Sequence, residues 1–302
     1  MNIKRKKTVF SGAASALATP FTDTGRIDYG AFGRIMDYSV SGGVSALVIA
    51  GTTGESATLD DSEKLSLLSY ASERYGGGRI PLIMGVGTNS TAHSVALSRE
   101  VCRLGADALL VVAPYYNKPT EEGMLRHFAE IADASEVPVI LYDIPSRTGV
   151  NIPFSVYERL AGHENITGIK DASGDIASAA RLIAGLGDFY DVYSGNDDML
   201  LPYLSLGGRG VISVVSNVLP REVCGICEMY SSGDIRGARE GFSCILPLAG
   251  LMFAETNPIP LKAALSEMGL CKNTLRLPLC PSSDRLRGEI REELVRLGAI
   301  EK

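Results

Sequence analysis

"ALLVVAPYYNKPTEEGMLRHFAEIADASEVPVILYDIP", residues 108–145, holds the decision about the fold. Its two ends, "ALLVVAPYY" and "PVILYDIP", are short apolar runs of strand length. Between them "TEEGMLRHFAEIADAS" starts with acids and repeats its apolar residues at helical spacing. The unit reads strand, helix, strand.

Outward from this unit the same alternation continues in both directions. Apolar runs stand at "ASALATPF", "SALVIAG" and "IPLIMGVG" before it, and at "ITGIKDAS", "YDVYSGND" and "GVISVVSN" after it, eight in all. The segments between them carry helix signals, as in "DDSEKLSLLSYASERYGGG", with early acids and a glycine stop. Strand then helix, repeated eight times, predicts an α/β chain folded as a (β/α)8 TIM barrel. A doubly wound open sheet uses the same alternation, but its dinucleotide fingerprint GxGxxG is missing after the first strand, which ends in "TPFTDTG". Beyond about residue 232 strand signals stop, and three helical patterns punctuated near Pro258 and Pro278 follow. The expected division is a catalytic barrel over residues 1–232 and a C-terminal helical appendage over 233–302.

Composition narrows the function. With 302 residues, 45% of them hydrophobic, the chain can bury a large core without disulfides or metals. A net charge of −6 gives no basic excess for nucleic acid or an anionic membrane surface, which leaves a small-molecule substrate. Six cysteines without framework spacing suggest a reducing compartment. Cys224 and Cys227 form a CxxC inside a helix-like segment with no second pair to complete a zinc site; packing is the plain reading and redox or metal use the rival one. The opening "MNIKRKKTVFSGAASALATPF" mimics a signal peptide, but Ser11, Gly12 and Ser15 break its apolar stretch, and cleavage near Ala18 would remove the first strand. A cytoplasmic chain is expected, and no run approaches the roughly 18 apolar residues of a membrane span.

In a barrel of this kind chemistry collects at the C-terminal ends of the strands. That rule sets aside "GGGR" at residues 76–79 and "GGRG" at 207–210, since both precede strands. His93, His127 and His163 fall in helices or in a connection leading to a strand, so neither a metal cluster nor a histidine triad can be built from them. The strand ends that remain carry "GTTGES" (residues 51–56), "PYYN" (114–117), "LYDIPSRTG" (141–149), Lys170, "SGND" and "ISVVSN". They hold neither a glycosidase carboxylate pair nor a serine elbow, although Asp143 and Asp171 are nearby.

Lysine beside tyrosines and threonines suits one chemistry. A lysine facing into a closed barrel is partly desolvated, which lowers its pKa from the reference value of about 10.4. A shift of about 3 units, roughly 4 kcal/mol, turns a rare neutral amine into a common one at pH 7. A neutral amine attacks a ketone, and the Schiff base formed makes the adjacent carbon acidic enough to become an enamine nucleophile. Tyrosine and threonine hydroxyls are the available proton relays. A glycine-flanked Thr-Thr turn opening into a helix offers N–H groups and hydroxyls to a carboxylate, so small 2-oxo acids are the expected substrates. Taken singly, Lys170 also reads as a solvated strand end, Tyr115, Tyr116 and Tyr142 as rim packing, and Arg147 as a surface charge. Their common rim links them without naming a reaction.

"GTTGES", "YDIPSRTG", "GIKDASG" and "NPIPLK", in this order, resemble the dihydrodipicolinate synthase and N-acetylneuraminate lyase family of class I aldolases, from about Ala14 to the C-terminus. The resemblance implies condensation of pyruvate with L-aspartate 4-semialdehyde in lysine biosynthesis, with no cofactor beyond the covalent bond to Lys170 and with no metal. It implies that Lys170 forms the Schiff base, that Tyr142 moves protons, and that Thr52 links Tyr142 to a second tyrosine, Tyr116, donated across a dimer interface. A homotetramer built as a dimer of dimers is implied with it. Thr53 is implied as a ligand of the pyruvate carboxylate, Gly195 and Ile212 as pocket lining, and Arg147 as the receiver of the semialdehyde carboxylate, for which a planar bidentate donor is suited.

The sequence departs from the family pattern at Asp143, where asparagine is usual; beside Tyr142 it is expected to alter local charge. Lysine-inhibited members tend to carry histidines at the positions of Asp61 and Lys64 and a glutamate at that of His93. The cations here oppose an incoming ammonium, so feedback inhibition is expected to be weak. The rival activities are sialate or 2-keto-3-deoxy-sugar-acid cleavage, non-catalytic sensing of 2-oxo acids, and sugar-phosphate chemistry in an unrelated barrel. Arg147 favours an acidic aldehyde partner over a polyol chain.

Overall fold

The protein is described by a computed structural model over residues 6–301. Eight parallel strands close into one ring in chain order: β1 (Gly12–Ala16), β2 (Ala46–Ile49), β3 (Leu82–Gly85), β4 (Ala108–Val112), β5 (Val139–Asp143), β6 (Ile166–Asp171), β7 (Asp191–Ser194) and β8 (Gly210–Ser213). The ring shuts where Gly12 pairs with Gly210, so the expected (β/α)8 barrel is the fold and the open sheet is excluded. Closure leaves no strand edge for another chain to pair with.

The helices form for local reasons visible in their caps. Asp60 and Glu63 make a capping box at the start of helix Asp61–Tyr75, and Thr120 accepts the Gly123 N–H at 3.2 Å to start helix Glu121–Asp133. The latter buries Met124, His127, Phe128, Ile131 and Ala132, the spacing of a single helical stripe. Three further helices, Ile235–Leu251, Ile259–Glu267 and Asp284–Arg296, follow the barrel.

Because helices cover the ring outside and side chains fill it inside, the strands are buried on both faces and alternate between two cores. Leu47, Ile49, Leu109, Val111, Leu141, Ile169 and Val192 pack outward against helices. Ala14, Ala16, Val48, Leu110, Ile140, Tyr142, Tyr193 and Ile212 point inward. Phe10 stacks on Tyr193 at 4.2 Å between ring centres and plugs the barrel axis, its carbonyl accepting the Tyr193 hydroxyl at 2.8 Å.

Features set aside on sequence grounds lie away from the strand C-termini. Gly77 and Gly78, both at positive φ, make the turn before β3, and Gly207 ends helix Leu200–Leu206 before β8. Cys224 and Cys227 are buried in helix Pro220–Ser231, where burial pushes each thiol up to about 12, and all six cysteines are unpaired. No helix among the described residues is long and apolar enough to cross a membrane, and no group of three or more His, Cys, Asp or Glu among them could hold a metal ion. The basic opening at residues 1–5 lies outside the described residues.

Candidate active site

Strand parity decides the site. In β5 the inward residues are Ile140 and Tyr142, and Tyr142 is in register with Lys170 of β6, which in turn is in register with inward Tyr193 of β7. Lys170 therefore points along the barrel axis. It is 5% exposed, and its Nζ lies 4.1 Å from the centre of the Tyr142 ring, within cation–π range. An amine carried by an apolar strand is here enclosed by the strand's own neighbours.

The walls around it are shaped by small residues and anchored turns. A Cβ at Gly195 would come within 2.6 Å of the Ala172 Cβ and 3.1 Å of the Lys170 Cε, so only glycine leaves the lysine stem its place. Asp197 is fully enclosed and accepts the Ser213 hydroxyl together with the N–H groups of Val214 at 2.9 Å and Val215 at 3.1 Å. These bonds fix the turn after Ile212. Burial pushes the Asp197 carboxyl above its ordinary value, against the pull of its hydrogen-bond donors and of the Lys170 charge.

A cavity of about 320 Å³ opens at the C-terminal mouth, with Thr52, Tyr142 and Arg147 in its lining beside Tyr115, Lys64 and Asn257; Lys170 is not in that lining and adjoins it through the Tyr142 ring. Thr52 and Thr53 sit in a turn flanked by two non-glycine residues at positive φ, Ala50 and Glu55. Such conformations persist only where surrounding contacts impose them. The Glu55 carboxylate supplies those contacts: it pairs with the fully buried Lys262 and accepts the Arg276 N–H at 3.1 Å. Both cations lie over the Phe21 ring, Lys262 at 4.0 Å and Arg276 at 4.5 Å. Burial pulls the Lys262 ammonium below its ordinary value while Glu55 opposes the shift. Breaking a buried pair by removing one partner costs about 3–5 kcal/mol, so the C-terminal helices hold the Thr-Thr turn in place.

Arg147 projects from the short helix Pro145–Thr148, and its guanidinium donates to the Asn257 carbonyl at 2.7 Å. Burial draws its pKa down from the usual value, with the nearby Tyr142 phenol acting the other way.

The structure thus brings Thr52, Tyr142 and Arg147 into one cavity and sets Lys170 against the Tyr142 ring, with Gly195 beside the lysine stem and Ile212 in the same inner core. Thr53 is buried and not in the cavity lining; its hydroxyl is bonded to Asn257, which lines the cavity. Tyr116 stands apart: it is 88% exposed at a φ of +70°, and it does not line the cavity of its own chain.

Asp143 differs from what its place in the sequence suggests. It faces outward through the barrel wall, away from the Tyr142 ring, in register with Asp171 of β6. Burial and the Asp171 charge push it up to about 7, although the Ile152 N–H at 3.1 Å and the Tyr157 hydroxyl at 3.5 Å favour its ionised form. Sequence reasoning missed Glu55, Asn257 and Lys262 as supports of the mouth. The signal was present in "GTTGES" and in "NPIPLK", a buried-type lysine after a turn-forming Asn-Pro, but their meeting depends on a contact across some 200 residues.

A (β/α)8 barrel with an enclosed lysine at the C-terminal end of its sixth strand, stacked on a tyrosine that lines a mouth holding Thr52 and Arg147, is built as a lysine-dependent lyase is built. Residues 9–297 match the model of the dihydrodipicolinate synthetase family, and the chain belongs to that family. A relative in Pelobacter propionicus named 4-hydroxy-tetrahydrodipicolinate synthase is 43% identical over 282 residues, covering 93% of this chain and 97% of that protein. The crystal structure of dihydrodipicolinate synthase from Thermotoga maritima superposes with a TM-score of 0.94 at 41% identity, covering 97% of this chain and all of the other. That of the chloride-inhibited dihydrodipicolinate synthase from Acinetobacter baumannii complexed with pyruvate gives a TM-score of 0.94 at 39% identity, over 97% of this chain and 100% of that one.

Proposed function

We propose that the chain condenses pyruvate with L-aspartate 4-semialdehyde to 4-hydroxy-tetrahydrodipicolinate through a Schiff base on Lys170. The observation that carries this reading is the enclosed Lys170 amine against the Tyr142 ring, beneath a mouth rimmed by Arg147. The amine adds to the keto carbon of pyruvate and the oxygen leaves as water. Loss of a proton from the methyl carbon gives the enamine, which bonds to the aldehyde carbon as its oxygen takes up a proton. The amino group of the bound semialdehyde then displaces Lys170 from the imine carbon, closing the ring and freeing the amine.

The remaining groups have roles that follow from their places. Tyr142, its ring against the Lys170 amine and its side chain in the same cavity as Thr52, moves protons with Thr52. Thr53 holds the pyruvate carboxylate, Gly195 and Ile212 shape its cavity, and Arg147 receives the second carboxylate at the mouth. The exposed Tyr116, held at positive φ, is suited to complete the relay in a second copy, so a dimer at least, and a homotetramer by pairing of dimers, is part of the reading. No external cofactor is required. Six unpaired cysteines favour the cytoplasm.

Asp61 supports weak feedback by lysine: its carboxylate is already engaged by His93 Nε2 at 2.7 Å and Lys64 Nζ at 3.6 Å. Titration with L-lysine is expected to leave activity above half at 1 mM; half-inhibition below about 1 mM, a binding free energy near −4 kcal/mol, would contradict it.

The test of the main reading is semialdehyde-dependent consumption of pyruvate, with a panel of sugar acids as rival substrates. Cleavage of a sugar acid without condensation of the semialdehyde would replace the synthase reading by a lyase one.

A further inference from the structure

Asn257 touches both ends of the mouth and belongs to neither. Its Nδ2 donates to the Thr53 Oγ1 at 3.0 Å, and its backbone carbonyl accepts from Arg147 at 2.7 Å. It is 4% exposed and lies in the cavity lining. Thr53 Oγ1 has no other side-chain or backbone partner among the described residues, so its hydroxyl proton meets no acceptor among them. A hydroxyl that receives an N–H keeps its own O–H to give away.

The amide orientation follows from what each choice strands. As placed, Asn257 Oδ1 and the second Nδ2 hydrogen lack partners among the described residues. With a carboxylate in the cavity, the placed amide leaves the Thr53 O–H free to pair with that anion, whereas the turned amide would consume the Thr53 proton, deny the anion a donor and strand both Asn257 N–H groups, which is the costlier arrangement. Asn257 therefore fixes the polarity of Thr53.

We infer that Asn257 is a positioning residue that keeps the Thr53 hydroxyl aimed as a donor at the carboxylate of the oxo-acid substrate, while its backbone separately steadies Arg147. The inference rests on the proposed reading in which Thr53 binds pyruvate. Since the Arg147 contact is to backbone, it survives side-chain substitution, and the two substrates should respond differently.

Steady-state kinetics of the full-length enzyme test this with a double-mutant cycle. Asn257→Ala is expected to raise the KM for pyruvate about tenfold, the scale of one lost hydrogen bond to a charged group, with kcat and the semialdehyde KM within about twofold of wild type. Isosteric Asn257→Asp accepts only, so it captures the Thr53 proton and raises the pyruvate KM further than alanine does. On a Thr53→Val background, Asn257→Ala should add nothing. The inference is overturned if Asn257→Asp binds pyruvate as wild type does, if both KM values rise together, or if Asn257→Ala keeps its full effect without the Thr53 hydroxyl. An unchanged pyruvate KM in Thr53→Val alone overturns it too, and locates the fault in the carboxylate assignment of Thr53 instead of in the Asn257 contact.

Discussion

Tyr142 and Lys170 face each other on the inside of the barrel; one residue further along the same two strands, Asp143 and Asp171 face each other on the outside. The register is shared and both pairs are buried, yet the inner one sets an amine against the ring of a tyrosine that lines the mouth cavity, while the outer one faces a separate pocket on the helix side of the wall. Asp171 accepts the Tyr203 hydroxyl at 2.7 Å and the Ser173 N–H at 2.8 Å. Asp143 keeps Oδ1 without a partner, and the two like charges raise the cost of ionising it. The lesson is that a barrel wall one strand thick separates reactive groups from groups whose ionisation concerns stability alone.

Substitutions on the two faces should therefore fall in separate columns. Lys170→Ala removes the amine proposed to form the covalent bond and is expected to leave essentially no condensation, the largest effect of the set, measured by semialdehyde-dependent pyruvate loss. Tyr142→Phe keeps the packing beside Lys170 and deletes the hydroxyl proposed to carry protons, so kcat should fall by about 10²–10⁴ with the fold intact. A fall of less than tenfold would take Tyr142 out of the relay.

Asp143→Asn should leave kcat and both KM values within about threefold, because its side chain faces away from the cavity. Its effect belongs to stability and depends on pH. With a folded-state value of about 7 against an ordinary 3.8, the folded chain holds a proton that the unfolded chain releases. Stability from this group is therefore full at low pH and lost as pH rises from about 4 to 7, at about 1.4 kcal/mol for each unit in that window. Urea midpoints of wild type and Asp143→Asn should agree near pH 3.5 and diverge most at pH 8, where the variant is the more stable. Equal midpoints at both values would mean that the outer pair is not a buried titrating pair.

The same comparison shows what could be read from sequence. Eight strands were legible because each buried run is short, apolar and bounded by turn residues, and "DDSEKL" and "PTEEG" announce helices through their caps. Closure of the ring was legible only as arithmetic, since the Gly12 to Gly210 pairing joins the two ends of the barrel. The direction of Lys170 was not written in "ITGIKDAS": a run apolar on both faces carries no parity, and a slip of one residue would turn the lysine outward and Asp171 inward. Asp143 misled for the same reason, adjacency in sequence being opposition across a strand. Asn257, Glu55 and Lys262 escaped because their role exists only where the C-terminal helices meet the turn after β2. Tyr116 shows the limit from the other side, as a residue named by its motif and standing outside the cavity of its own chain.

The most direct measurement is intact and peptide mass analysis after borohydride treatment in the presence of pyruvate. The inward, enclosed lysine predicts one stable pyruvate adduct per chain, located at Lys170, blocking activity and absent from Lys170→Ala. An unmodified chain that still condenses the two substrates, or an adduct carried by a different lysine, would contradict the account.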